Sequence, residues 1–150
     1  MLCLASFLYC QNTPLSDSEV RSYFDKNGAE GIEGIWESVN SINGMDQKLS
    51  IIKDGYKYFV RPIHENRDEI WNTGEILATI ETAASDEIVT MRWKVWDRAY
   101  LVEAKSIGTV KNNSVIEFSL KNTEHLLYRV YPKLDQAPSS SSKINKDGNW

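Results

Sequence analysis

The sequence is poor in the residues from which reactive sites are usually built. Its two cysteines, Cys3 and Cys10, both fall within the first ten residues, which excludes a disulfide framework and a cysteine-based zinc site in the rest of the chain. Histidine also occurs only twice, as His64 and His125. The eight glycines are spread singly through turns, so no glycine-rich loop is present to cradle a phosphate. No Gly-x-Ser-x-Gly turn sets up a nucleophilic serine. The 17 Lys and Arg are scattered among 21 acids for a net charge of −4, which argues against a nucleic-acid partner, since that needs a concentrated basic patch. No apolar run is long enough for a transmembrane helix.

What is present reads as one domain. A chain of 150 residues can bury roughly 70% of its unfolded surface and needs neither metal nor disulfide to fold. Residues 1–13 begin with MLCLASFLYC, an apolar stretch of the length of a signal-peptide core but without a basic start. Phe7-Leu8-Tyr9 ahead of Cys10 is a poor match to a lipid-attachment motif. The expectation is a signal-like or lipoprotein-like segment and an exported protein: periplasmic, secreted or anchored to the outer membrane.

Residues 14–132 carry the fold. Pro14-Leu15-Ser16-Asp17 opens a short helix over 18–26, with Ser16 as N-cap, Glu19 completing a capping box and Asn27-Gly28 closing the far end. Val20, Tyr23 and Phe24 form its apolar stripe. Beyond Gly31 the pattern changes to short runs rich in Ile, Val, Tyr, Trp and Thr. Strands are expected at 34–39, 48–53, 56–62, 75–81, 87–96, 100–106, 114–120 and 126–131. Asp54-Gly55 is the strongest hairpin signal, and Asn43-Gly44, Asn72-Thr73-Gly74, Asp97-Arg98 and Lys111-Asn112-Asn113 mark further turns. No crossover helix separates the strands, so the sheet is expected to be antiparallel. About eight strands suit a lipocalin-like barrel or a sandwich, mainly β, with one N-terminal helix. After Pro132, the Ser-rich residues 133–150 read as a flexible linker or tail, as if a further domain were to follow.

Alternation sorts the side chains by face. Trp36 opposes Ile35 and Glu37. Met91, Trp93 and Val95 share one face and Arg92, Lys94 and Trp96 the other, while Ile116, Phe118 and Leu120 oppose Val115, Glu117 and Ser119. Trp36, Trp71, Trp93 and Trp96, together with Tyr56, Tyr58, Tyr100 and Tyr128, form a set of large amphipathic rings of the kind that lines ligand pockets. The four tryptophans are the candidate ligand-binding residues. For Trp36 and Trp93 core filling is the simpler reading, which leaves Trp96 and the loop residue Trp71 as the better outward contacts. His64, in the charged loop IHENRDE, has Glu65 and Asp68 beside it for metal or proton transfer, but a solvated loop histidine accounts for it as well. His125 has no sequence partner. No catalytic residue, metal site or cofactor is assigned.

Gly34-Ile35-Trp36 after a short helix resembles the Gly-x-Trp start of lipocalin-like barrels. The longer series GIEGIWES at 31–38, 48–52 with 56–60, WNTGEILAT at 71–79, MRWKVWD at 91–97 and LYRVYP at 127–132 resembles the N-terminal β region ahead of the protease domain in exported trypsin-like serine peptidases of Bacteroidetes-type bacteria. That resemblance implies an accessory, non-catalytic domain, with peptidase chemistry confined to a C-terminal domain downstream, and it carries no catalytic residue onto this chain. The expected function is therefore a binding or accessory domain of an exported protein, on this resemblance a truncated peptidase precursor. The alternative is a complete lipocalin-like carrier of a small apolar ligand. In either case the partner is an unknown small ligand or protein surface.

Overall fold

The computed structural model of the chain describes residues 13–40, 42, 48–63, 75–83 and 85–134. The helix α1 spans Asp17–Asn27, and its ends follow the sequence signals. Ser16 Oγ accepts from the Glu19 backbone N–H, and the Glu19 carboxylate returns bonds to the Leu15 and Ser16 N–H groups, so otherwise orphaned donors are satisfied. Gly28 ends the helix at a φ of 76°, its N–H donating to Phe24 O.

Eight strands follow: β1 Gly34–Ser38, β2 Lys48–Asp54, β3 Lys57–Pro62, β4 Ala78–Thr82, β5 Ile88–Asp97, β6 Tyr100–Lys111, β7 Val115–Leu120 and β8 Thr123–Tyr131. Each pairs antiparallel with the next, and β1 pairs with β8. The sheet is thus a closed barrel rather than a sandwich. Closure removes two of the edges that an open sheet would expose.

The alternation expected from the sequence holds along the strands. Val89, Met91, Trp93 and Val95 point inward from β5, and Ile116, Phe118 and Leu120 from β7; with Trp36, Leu49, Ile51, Val60, Ile80 and Leu127 they fill the interior. The opposite face of β1 and β2 is buried as well. Ile35 and Ile52 lie beneath α1, where Val20, Phe24 and Ile63 complete a second, smaller core. The helix therefore seals a flank of the barrel. Asp17 and Lys48 fasten its N-terminus to β2 at 2.8 Å, and Arg21 lies over the Tyr131 ring at 4.6 Å.

Three strands differ from the sequence expectation by three or more residues at one end. The fourth strand starts at Ala78 rather than at residue 75. The sixth continues past Ser106 to Lys111. Gly108 is required there because a Cβ would come within 2.9 Å of both Met91 Sδ and Val89 Cγ2. The eighth starts three residues early, at Thr123, because Lys121 and Asn122 both adopt positive φ, 50° and 61°. They form the tight turn that twisted hairpins prefer, here without the usual Asn-Gly pair.

Candidate functional site

One end of the barrel is shut by its own chain. The segment from Glu30 to Glu33 folds over this end, held by Trp36 and Arg129 of the barrel and by its own Glu33. Trp36 Nε1 donates to Ile32 O at 3.0 Å. The Arg129 guanidinium donates to Gly31 O and lies over the Trp36 ring at 5.3 Å. The Glu33 carboxylate accepts from the backbone N–H groups of Lys53 and Glu30 at 2.8 and 2.9 Å. Each residue of Gly34-Ile35-Trp36 makes a different contact. A Cβ on Gly34 would strike the Tyr131 carbonyl, Ile35 packs under α1, and Trp36 fills the interior.

At the other end, three rings stack inside the barrel. Trp93 and Phe118 are 5.1 Å apart at an interplanar angle of 12°, and Phe118 and His125 are 5.3 Å apart at 21°. His125 is buried, and this burial lowers its pKa below 6.5, the nearby Glu124 charge opposing the shift. Trp93 Nε1 and His125 Nδ1 are buried without a hydrogen-bond partner among the described residues, an arrangement that costs free energy unless a polar group arrives.

A further concavity lies outside the barrel. A groove of about 820 Å³ runs between α1 and the outer face of β2 and β3. Pro14, Tyr23, Ile52 and Phe59 give it an apolar floor and wall, and Arg61, Lys26 and Lys53 place cations along it. Local sequence explains the arrangement. Phe59 and Arg61 sit two apart on β3 and so share the outward face, which continues Ile52 on β2, while the Val20-Tyr23-Phe24 stripe brings α1 over that surface. Two acids line the groove, and Glu19 of these is committed to the capping box. Lys53 is held by Glu30 at 2.8 Å.

Arg61 stands apart from Lys26 and Lys53, the other cations of the groove. It is half-buried, its guanidinium lies 5.6 Å from the Phe59 ring centroid, and its Nε is buried with no acceptor among the described residues. Burial pushes its pKa below the ordinary arginine value, and the Asp54 charge only partly offsets this. An arginine remains charged even so. A desolvated cation without a hydrogen-bonded counter-ion is costly, and the groove lets an anion reach it.

The sequence-derived candidates fall in different places. Trp36 and Trp93 are fully buried inside the barrel, and Trp96 is 45% exposed on the outer face of β5. These three share no common surface. Trp71 and His64 lie outside the described residues, as do Cys3 and Cys10. Among the described residues no cluster of three or more His, Cys, Asp or Glu is placed to hold a metal, and no helix is long and apolar enough to cross a membrane. Sequence reasoning missed Arg61. Its only signal was the alternation that puts it beside Phe59, and nothing local shows that an arginine lacks a carboxylate.

No protein-family model matches the chain, and no curated protein or solved structure is significantly similar to it. The resemblance to the N-terminal regions of exported peptidases therefore rests on the motifs quoted above alone.

Proposed function

We propose that this barrel is a non-catalytic binding domain, and that its ligand is an amphipathic anion, a carboxylate on an apolar body, seated in the groove beneath α1. The observation that carries this reading is Arg61, half-buried with Nε lacking an acceptor among the described residues, at the wall of a groove floored by Ile52 and Phe59. A carboxylate would supply the missing acceptor in a charge-assisted, bidentate geometry, while the apolar body covers Tyr23, Ile52 and Phe59. The role of an accessory domain in an exported protein fits such a module and is part of the same proposal.

Isothermal titration with octanoate tests it, octan-1-ol serving as the uncharged control. A ligand of this size is expected to bind with a dissociation constant on the order of 0.1–1 mM. Octan-1-ol should bind at least about tenfold more weakly, because it leaves Arg61 without a charged acceptor. Equal affinity for the two probes, or no binding of octanoate, refutes the proposal.

A second reading, a carrier that holds its ligand inside the barrel, is supported by the two unpaired polar atoms beside Phe118, Trp93 Nε1 and His125 Nδ1. Against it stands the filling of the interior by Trp36, Met91 and Trp93, all fully buried. The two readings differ in which substitution abolishes binding: Arg61→Met for the groove, His125→Phe for the interior.

A further inference from the structure

We infer that β6 carries a self-complementary edge through which two copies of this chain pair antiparallel. The barrel is closed by hydrogen bonds, but its β6–β7 ladder is short: it joins Gly108–Lys111 to Val115–Phe118 and goes no further. Over the same strand β5 pairs continuously, from Ile88 opposite Thr109 to Asp97 opposite Tyr100. The stretch from Tyr100 to Ile107 is thus bonded on its β5 side, and among the described residues it has no strand partner on the other. The nearest link across the gap is a side-chain one, Ser106 Oγ donating to Ser119 O at 2.7 Å.

The register shows which backbone groups are left over. Lys94 N–H donates to Leu77 O, so Lys94 turns its backbone toward β4, and its cross-strand neighbour Glu103 belongs to a pair not bonded across β5–β6. At the other end Val110 N–H donates to Glu87 O, so the even-numbered residues of β6 face β5. Leu101, Glu103, Lys105 and Ile107 therefore aim their N–H and C=O groups away from the barrel. An edge of this kind is a template for another strand.

The side chains on these four residues make the second copy the matching partner. Read along the outer face they are apolar, acidic, basic, apolar. With two strands antiparallel about a two-fold axis at Ala104, each Glu103 lies opposite Lys105 of the second copy and each Leu101 opposite its Ile107. Every position meets its complement, and opposed charges and apolar pairs favour this register. A shift of two residues that puts the axis at Glu103 would oppose like charges. Leu101 and Ile107 are 40% and 72% exposed, which is unusual for large apolar side chains. Glu103 already holds Arg92 at 3.2 Å, yet its side chain keeps 60% exposure and so has room for a second cation.

One strand edge buries less than a standard interface, so the dimer is weak, with a dissociation constant on the order of 100 μM. The test is sedimentation of the full chain under reducing conditions from 10 μM to 1 mM, for wild type, Glu103→Lys, Lys105→Glu and the double swap, with circular dichroism confirming that each variant is folded. Each single swap opposes like charges at two symmetric positions and is expected to weaken the dimer about tenfold or more. The double swap exchanges the signs and is expected to restore it to within about twofold of wild type. A wild type monomeric at 1 mM, single variants that dimerise like wild type, or a double swap that fails to recover each overturns the inference.

Discussion

Arg129 lies over the indole of Trp36 at 5.3 Å and donates to the carbonyl of Gly31. The last strand is thereby fixed to the first, and both to the segment that shuts one end of the barrel. The cation is half-buried and its pKa is pushed down by burial, with Glu33 opposing. Its charge is offset by the ring face, the carbonyl and, through space, the Glu33 carboxylate.

Removing this clamp should loosen the closed end. Arg129→Ala loses the cation–π contact, the hydrogen bond and the aliphatic packing over Trp36, and is expected to cost roughly 2–3 kcal/mol. Urea unfolding followed by tryptophan fluorescence measures it. A change below about 0.5 kcal/mol, the range of ordinary surface substitutions, would show that the contact does not hold the end closed.

Gly108 gives the second prediction. It faces the interior between Val89 and Met91, and an added methyl group meets both at 2.9 Å. Gly108→Ala is therefore expected to destabilise the barrel by about 1–3 kcal/mol through overpacking, even though alanine is the better strand residue by propensity. Thermal denaturation decides the matter, and an unchanged or raised melting temperature contradicts the packing described for this site.

His125 predicts a pH dependence. Burial lowers its folded-state pKa below the ordinary value of 6.5, so as pH falls through that value the unfolded chain takes up a proton that the folded chain resists. The contribution is fully present above about pH 7.5 and diminishes as pH falls toward 5.5. His125→Phe keeps the stack on Phe118 and removes the titration, and should flatten the stability profile over this interval. Parallel profiles for the two proteins would mean that His125 titrates normally in the fold.

For Arg61 the expectation is a separation of stability from binding. Arg61→Met retains an apolar stem beside Phe59 and deletes a desolvated charge that Asp54 offsets only in part, so the melting temperature should hold or rise. Octanoate binding should fall at least about tenfold. A large loss of stability would instead make Arg61 a structural residue with partners of its own.

These features were unequally legible in the sequence. Period-two alternation placed Met91, Trp93 and Val95 inside and Trp96 outside, and the Ser16–Glu19 capping box marked the helix start, because both signals are local. The Lys121-Asn122 turn was not legible, since neither residue announces a positive φ as glycine does. The need for glycine at 108 was not legible either, because only the packed barrel shows that Val89 and Met91 leave no room for a Cβ. Arg61 was hidden for a third reason. Its lack of an acceptor among the described residues is a property of strands and helix brought together, and of the tryptophans that suggested a ring-lined site, Trp36 and Trp93 serve the core.

The central claim, that the groove beneath α1 is the ligand seat, is tested most directly by amide, arginine Nε–H and indole N–H chemical shifts of the isotope-labelled chain titrated with octanoate. The account predicts saturable shifts at Arg61 Nε–H and at the amides of Ser22, Tyr23 and Phe59, with the Trp93 indole unmoved. Shifts centred on the Trp93 indole and His125, with Arg61 silent, would contradict it and move the seat inside the barrel.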